Sequence, residues 1–157
     1  MTAVWIILAA LLAVVLLGTV LFLIACRRGP VPDLTKPEVI AKWGRAEQTE
    51  EILAGVRLMQ DAENIFLPSY DGLRLHGRLL QQPGAKGTIL LFHGYRSSWV
   101  IDFSIVLPHY FTLGYNLLAV DERAHGESEG TYITFGVRER RDVVTWAQYA
   151  AMHFGPA

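Results

Sequence analysis

Ala3 to Ala25 carries no charged residue, and this run of 23 residues leaves the N-terminus of the chain very few structures to adopt. As a helix it spans roughly 35 Å at ~1.5 Å per residue, enough for the ~30 Å hydrocarbon core of a bilayer. The reading is a transmembrane helix over residues 3–26. A cleaved secretory signal is the main rival, but signals begin with a basic segment and carry a shorter apolar core, whereas Met1-Thr-Ala-Val-Trp5 has no Lys or Arg. An uncleaved anchor is favoured. Leu23-Ile-Ala-Cys26 also matches the four residues at which bacterial lipoproteins are cleaved and lipidated, and the long apolar segment counts against that use. Cys26 is the only cysteine, so no intrachain disulfide forms and the redox compartment is not read from it.

Arg27 and Arg28 follow the span, while its N-terminal side has only the α-amino group, so the positive-inside rule puts the following residues in the cytoplasm. An extracytoplasmic domain is the alternative. Elsewhere acidic and basic residues are interspersed, and the chain's formal net charge is -1. No electrostatic footprint for nucleic acid is present. The expected partners are the lipid bilayer and a small substrate.

Residues 27–62 read as a linker followed by amphipathic helix. Gly29-Pro-Val-Pro-Asp33 disfavours continuation of the membrane helix. Thr35-Lys-Pro-Glu38 has the form of a capping box, which predicts a helix start. Val39, Ile40 and Trp43, then Ile52, Leu53, Val56 and Met59, recur at helical spacing as packing surface; a helix lying on the membrane is the alternative.

Residues 63–157 alternate strands and helices. Asn64 to Pro68 and Leu73 to Leu80 read as paired strands around Ser69-Tyr-Asp-Gly72. In the second, Arg74, His76 and Arg78 alternate with Leu75, Gly77 and Leu79, so His76 is expected at the surface. Thr88 to Phe92 is a near-continuous apolar run, the pattern of a buried parallel strand. A helix over Phe103 to Leu113, disturbed by Pro108, connects it to a strand over Tyr115 to Val120 and completes a βαβ unit. A last helix over Val137 to Met152 is expected to cover the sheet with Val137, Val144, Ala147 and Ala151, widened by Val143 and Trp146. The fold class is α/β.

Both apolar strands break into polar loops, His93-Gly94-Tyr95 and Asp121-Glu-Arg123-Ala-His125-Gly126-Glu-Ser128, at the strand ends where open α/β sheets collect ligands. Glycine at position 94 lets the backbone turn sharply there, and His-Gly alone also fits an ordinary strand-to-loop turn. Gly126-Glu-Ser128-Glu-Gly130 satisfies Gly-x-Ser-x-Gly, the nucleophile-elbow pattern. Its context is wrong. An elbow needs a strand directly before it and a helix directly after, whereas Val120 lies well upstream and Thr131 to Phe135 is a poor helix start. Glu127 and Glu129 would also oppose an oxyanion. Ser128 is therefore rejected as nucleophile. A metal site from His93, His109, His125 and Asp121 is disfavoured because no compact ligand motif is present.

The two loops together resemble those of the α/β-hydrolase superfamily, in which the second reads Asp-x-Arg-Gly-His-Gly-x-Ser. Ala124 stands where the family has glycine. The resemblance covers Asn64 to Ala157 and includes Ile133-Thr-Phe-Gly136, Glu139, Asp142 and Trp146, a pattern of membrane-anchored bacterial serine hydrolases of esterase or peptidase type. It implies that the Tyr95 amide is an oxyanion donor supported by His93 and Gly94. It also implies that Asp121, Arg123, His125, Gly126 and Ser128 form a structural loop, His125 standing too early in the chain for the catalytic histidine. It further implies an incomplete α/β-hydrolase fold: the nucleophile strand, acid and histidine would follow Ala157, leaving the strand Thr88 to Phe92 as an apolar edge prone to aggregation. The implied activity is cofactor-independent hydrolysis of ester or amide bonds in the complete protein. A non-catalytic membrane-tethered interaction module, or a decayed gene fragment, is the alternative.

Overall fold

The computed structural model describes residues 2–30, 32–33, 35–42 and 45–155. Helix α1, Thr2–Cys26, is long and apolar enough to cross a membrane, and none of its side chains is buried by the rest of the chain. Its one hydroxyl-bearing interior residue is satisfied within the helix, Thr19 Oγ1 donating to the Val15 carbonyl at 2.8 Å. Helix α2, Pro37–Lys42, starts with proline in its first turn. The expected capping box does not form. Asp33 Oδ1 instead accepts both the Thr35 hydroxyl at 2.5 Å and the Thr35 N–H at 3.1 Å, the donor that Glu38 would take in a capping box. Trp43 lies outside the described residues.

Helix α3, Thr49–Leu58, buries Ile52 completely, and Met59 follows just past its end, as their spacing requires. These residues pack on protein, which leaves the membrane-lying alternative without a free apolar face. Strands β1, Glu63–Pro68, and β2, Arg74–Leu80, pair antiparallel around a turn in which Gly72 takes φ 86°. The Ser69 hydroxyl accepts the Leu73 N–H at 2.8 Å and donates to Asp71 at 2.7 Å, closing that turn.

Strand β3, Thr88–Phe92, lies parallel to β4, Asn116–Asp121, and the sheet order is β1-β2-β4-β3. Every residue of β4 is buried. By contrast β3 is only half-buried: it occupies an edge of the sheet among the described residues, so the two-sided covering its apolar run anticipates is absent on that flank. The connection between them is two short helices, α4 (Trp99–Phe103) and α5 (Leu107–Thr112), in place of the single helix expected over Phe103 to Leu113. The interruption falls at Ser104, where α3 comes so close at Gly55 that an added Cβ would sit 1.9 Å from the Ser104 carbonyl oxygen.

Helix α6, Glu139–Phe154, covers the second face of the sheet. Trp146 faces inward as expected, but the rest of the inward side differs from the one expected. Val137 and Val144 are 67% and 54% exposed, whereas Glu139, Asp142 and Trp146 are buried. The two carboxylates are drawn inward by specific partners, which outweighs the apolar count on the opposite side of the helix. Two cores result. Ile40, Ile52, Met59, Leu107 and Leu117 fill the one under α3 to α5, and Leu75, Leu79, Leu118, Val120 and Trp146 fill the one under α6. Helices thus flank a mixed sheet on both faces, a partial α/β fold.

Candidate active site at the strand ends

The loop after β3 is held by one carboxylate. Asp102, on α4, accepts the Gly94 N–H at 2.7 Å through Oδ2 and the Ser97 hydroxyl at 2.6 Å through Oδ1. Nothing in the spacing of the sequence marked Asp102 for this task, although an aspartate one turn into a helix that follows a Gly and Ser loop is a residue to examine. The left-handed conformation falls on Arg96, at φ 51°, and not on Gly94. A Cβ at Gly94 would meet only Asp102, at an ordinary 3.5 Å, so the expected need for glycine at that turn is not found.

Two histidines join this loop to the loop after β4. His93 Nδ1 bonds the Gly94 carbonyl at 2.9 Å and its Nε2 the Glu122 N–H at 3.2 Å. A carbonyl can only accept and an N–H can only donate, so the ring is neutral with its proton on Nδ1. The same logic fixes His125, with Nδ1 on the Arg123 carbonyl at 3.0 Å and Nε2 on the Arg96 N–H at 3.2 Å. Burial lowers the His125 pKa, and the positive charge of Arg28 adds to it. The rings meet edge to face at 4.8 Å between centroids. Both nitrogens of each ring are thereby committed to backbone.

Of the consecutive amides Gly94 to Ser97, Gly94 serves Asp102, Arg96 serves His125 and Ser97 serves the Gly94 carbonyl at 3.2 Å. Among the described residues the Tyr95 N–H has no hydrogen bond. The Tyr95 hydroxyl, by contrast, donates to the Ala25 carbonyl at 2.7 Å, and its ring stacks on Phe135 at 5.1 Å.

The second loop is built around Asp121. Its Oδ2 accepts from His76 Nδ1 at 2.7 Å and from the Glu127 N–H at 2.9 Å. Burial alone would raise this carboxyl, yet these bonds hold it below its ordinary value. His76 is therefore no surface residue: it is 1% exposed, with Nε2 3.1 Å from Asn64 Oδ1. The alternation in β2 correctly separates its two faces, but the loop from β4 folds over the face carrying His76. Ser128 is wholly buried; its hydroxyl donates to the Asp121 carbonyl at 2.5 Å and accepts the His76 N–H at 2.8 Å. Ala124, where the resemblance has glycine, adopts φ 60° and is wholly buried. Arg123 binds Asp142 through Nε at 2.6 Å and Nη2 at 2.8 Å, and reaches Asp71 at 3.0 and 3.2 Å.

A cleft of about 350 Å³ lies over these loops, lined by Gly94, Tyr95, Glu122, His125, Ile133 and Phe135 among others. Glu139 shapes its far wall, accepting the Thr134 and Gly136 N–H groups at 2.7 and 2.8 Å. Among the described residues no cluster of three His, Cys, Asp or Glu is placed to hold a metal. Glu122 is the one wall residue whose carboxyl is pushed strongly up, to about 7, by burial and then by the charges of Glu139 and Asp142. Folding thus favours its protonated form, and its contribution is full below the unfolded carboxyl range and lost as pH rises through 7. Glu122→Gln is expected to stabilise the chain at pH 8 by on the order of 1–2 kcal/mol and to change little at pH 5, as read from urea midpoints at the two pH values.

No family model and no curated protein matches the chain. Solved structures do. An esterase of Pyrococcus furiosus, Pf2001, superposes with a TM-score of 0.54 at 28% identity over 64% of this chain and 38% of its own. A second crystal form of that esterase gives 0.54 and 29%, covering 64% and 40%. The structure of DcsB with a substrate analogue shares the fold at 16% identity and a TM-score of 0.53, covering 58% and 32%. The chain spans about two-fifths of the length of the esterases it matches, and the part it spans has an esterase-like hydrolase fold.

Proposed function

We propose that the complete protein is a membrane-anchored serine hydrolase that cleaves a small ester or amide by acyl transfer, its domain on the cytoplasmic side of the anchor. This chain contributes the oxyanion loop and the cleft walls. The nucleophile, acid and histidine lie outside it. The observation that carries the reading is the Tyr95 N–H, which has no hydrogen bond among the described residues and stands at the end of a parallel strand between Gly94 and Arg96, whose amides are both engaged. A donor fixed in place before the reaction stabilises a developing oxyanion without reorganisation. Likeness to the Pyrococcus esterase supports the reaction class.

Ser128 is a poor nucleophile on this reading, since its hydroxyl both donates and accepts within the buried loop. The chain alone is expected to give no covalent labelling with a fluorophosphonate probe. Stoichiometric labelling that disappears in Ser128→Ala would overturn the assignment. The chain extended by the sequence its locus encodes after Ala157 is expected to label at a serine within a Gly-x-Ser-x-Gly segment. A locus without such a segment would leave a tethered, non-catalytic interaction module as the function.

A further inference from the structure

The last turns of α1 are built into the same loops that form the cleft. Residues 26 to 28 pair with 131 to 133: the Arg28 N–H donates to the Thr131 carbonyl at 2.8 Å, and the Ile133 N–H to the Cys26 carbonyl at 2.6 Å. Arg28 Nη1 reaches the Ser128 carbonyl at 2.7 Å, and Nη2 bonds the Gly126 carbonyl. From the other side, Arg96 bonds the Ile24 and Arg27 carbonyls and Tyr95 bonds that of Ala25. Phe22, a full turn inside the helix, lies 5.3 Å from the Tyr132 ring. These contacts fix where the loops sit along the helix axis.

A 25-residue helix is ~37 Å long, against ~30 Å of hydrocarbon, so residues that touch its final turn lie at the boundary between acyl chains and headgroups. The side chains found there are those such a layer selects. Tyr95, Tyr132 and Phe135 are 49%, 42% and 61% exposed, and Val137 beside them is 67% exposed. Tyr95 and Tyr132, aromatic with a polar tip, flanked by Arg27 and Arg96, match the composition of membrane interfaces, and Phe135 and Val137 add apolar surface beside them. Tyr95 and Phe135 are at once part of this apolar rim and walls of the cleft.

We infer that the loop face around Tyr95, Tyr132 and Phe135 rests in the interfacial layer of the membrane crossed by α1, so that the cleft opens onto lipid and takes its ester from an amphiphile dissolved in that leaflet. The inference rests on the anchored reading above and is independent of where the nucleophile lies. An acyl chain entering from the bilayer would pass the stacked Tyr95 and Phe135 rings before its ester reached the Tyr95 amide. A water-soluble ester would have to enter past the headgroups.

The test uses the full chain with Cys26→Ser and single cysteines at Phe135 or Val137, each carrying an environment-sensitive NBD label, in vesicles of phosphatidylcholine and phosphatidylglycerol. Gln81→Cys, an exposed site beyond the opposite end of the sheet, is the reference. Flotation with the vesicles reports anchoring. Quenching by nitroxide-labelled phosphatidylcholine, itself an acyl ester amphiphile, reports contact of the rim with lipid. Labels at Phe135 and Val137 are expected to be quenched by the nitroxide lipid several-fold more than at Gln81, and by aqueous iodide several-fold less. Protein that floats with equal quenching at all three sites overturns the membrane-facing cleft and leaves the anchor standing. Protein that does not float overturns both. Fluorophosphonate labelling of the extended chain has no bearing on either readout, so failure of the hydrolase assignment is recognised separately.

Discussion

Arg123→Leu is expected to destabilise the chain by about 3–5 kcal/mol, the range for removing one partner of a buried ion pair. Arg123 is 2% exposed and holds Asp142 with two parallel hydrogen bonds, and Asp142 is itself 5% exposed. Leucine would leave that carboxylate buried with no counter-charge. The guanidinium also reaches Asp71 in the β1–β2 turn and lies 5.3 Å from the Tyr70 ring, so three segments lose their common tie. Urea unfolding of the detergent-solubilised chain, followed by tryptophan emission, measures the loss. Arg123→Leu combined with Asp142→Leu is expected to recover much of it, because the second change removes the stranded charge. The pH dependence gives a further check. Arg123, with Ser69, holds the Asp71 carboxyl down at about 2, so the stability it contributes is present above the unfolded value near 4 and lost as pH falls through 2. In Arg123→Leu the folded and unfolded values of Asp71 draw together, so its share of that acid-side decline should shrink or vanish.

Gly126→Ala is expected to cost a comparable ~3–5 kcal/mol, from a left-handed backbone and a steric clash together. Its φ is +47°, and an added Cβ would fall 2.1 Å from Asp121 Oδ2. That oxygen cannot retreat freely, since it is the acceptor for His76 Nδ1 and the Glu127 N–H. Displacing it unpairs a buried histidine on β2 and opens the loop that carries His125. Gly84→Ala is the matched comparison: its φ is +68° with nothing within 4 Å of the added carbon, so only the backbone cost of about 1–2 kcal/mol applies. Unfolding midpoints of the two variants separate the clash from the strain.

The strands and the parallel unit were legible because apolar runs bounded by Gly, Pro and Asp leave little choice of element, as at Thr88–Phe92 and Asn116–Asp121. What escaped were decisions made by groups distant in sequence. Period-two alternation says which residues of β2 share a face with His76, but not that Asp121 from another strand would bury it. A count of apolar positions on α6 misplaced its inner side because Arg123 draws Asp142 inward and Thr134 with Gly136 draws Glu139. The two loops of the candidate site were found from their residues. Their order depends on Asp102 and on two histidines whose nitrogens all face backbone, and no spacing rule announces that arrangement.

Trp146 gives the sheet a property that its own strands lack. The indole lies over Gly77, where even a methyl group would come within 2.9 Å of the ring, and Gly77 stands opposite Val120 in the β2–β4 pairing. A slip of one residue would bring His76 or Arg78 beneath the indole and turn every side chain of β2 to the wrong core. The ring therefore acts as a key that fits one alignment of the hairpin only. Since that key is carried by α6, docking of this helix adds a steric check on an alignment that the Ser69–Gly72 turn and the His76–Asp121 bond set from within the sheet.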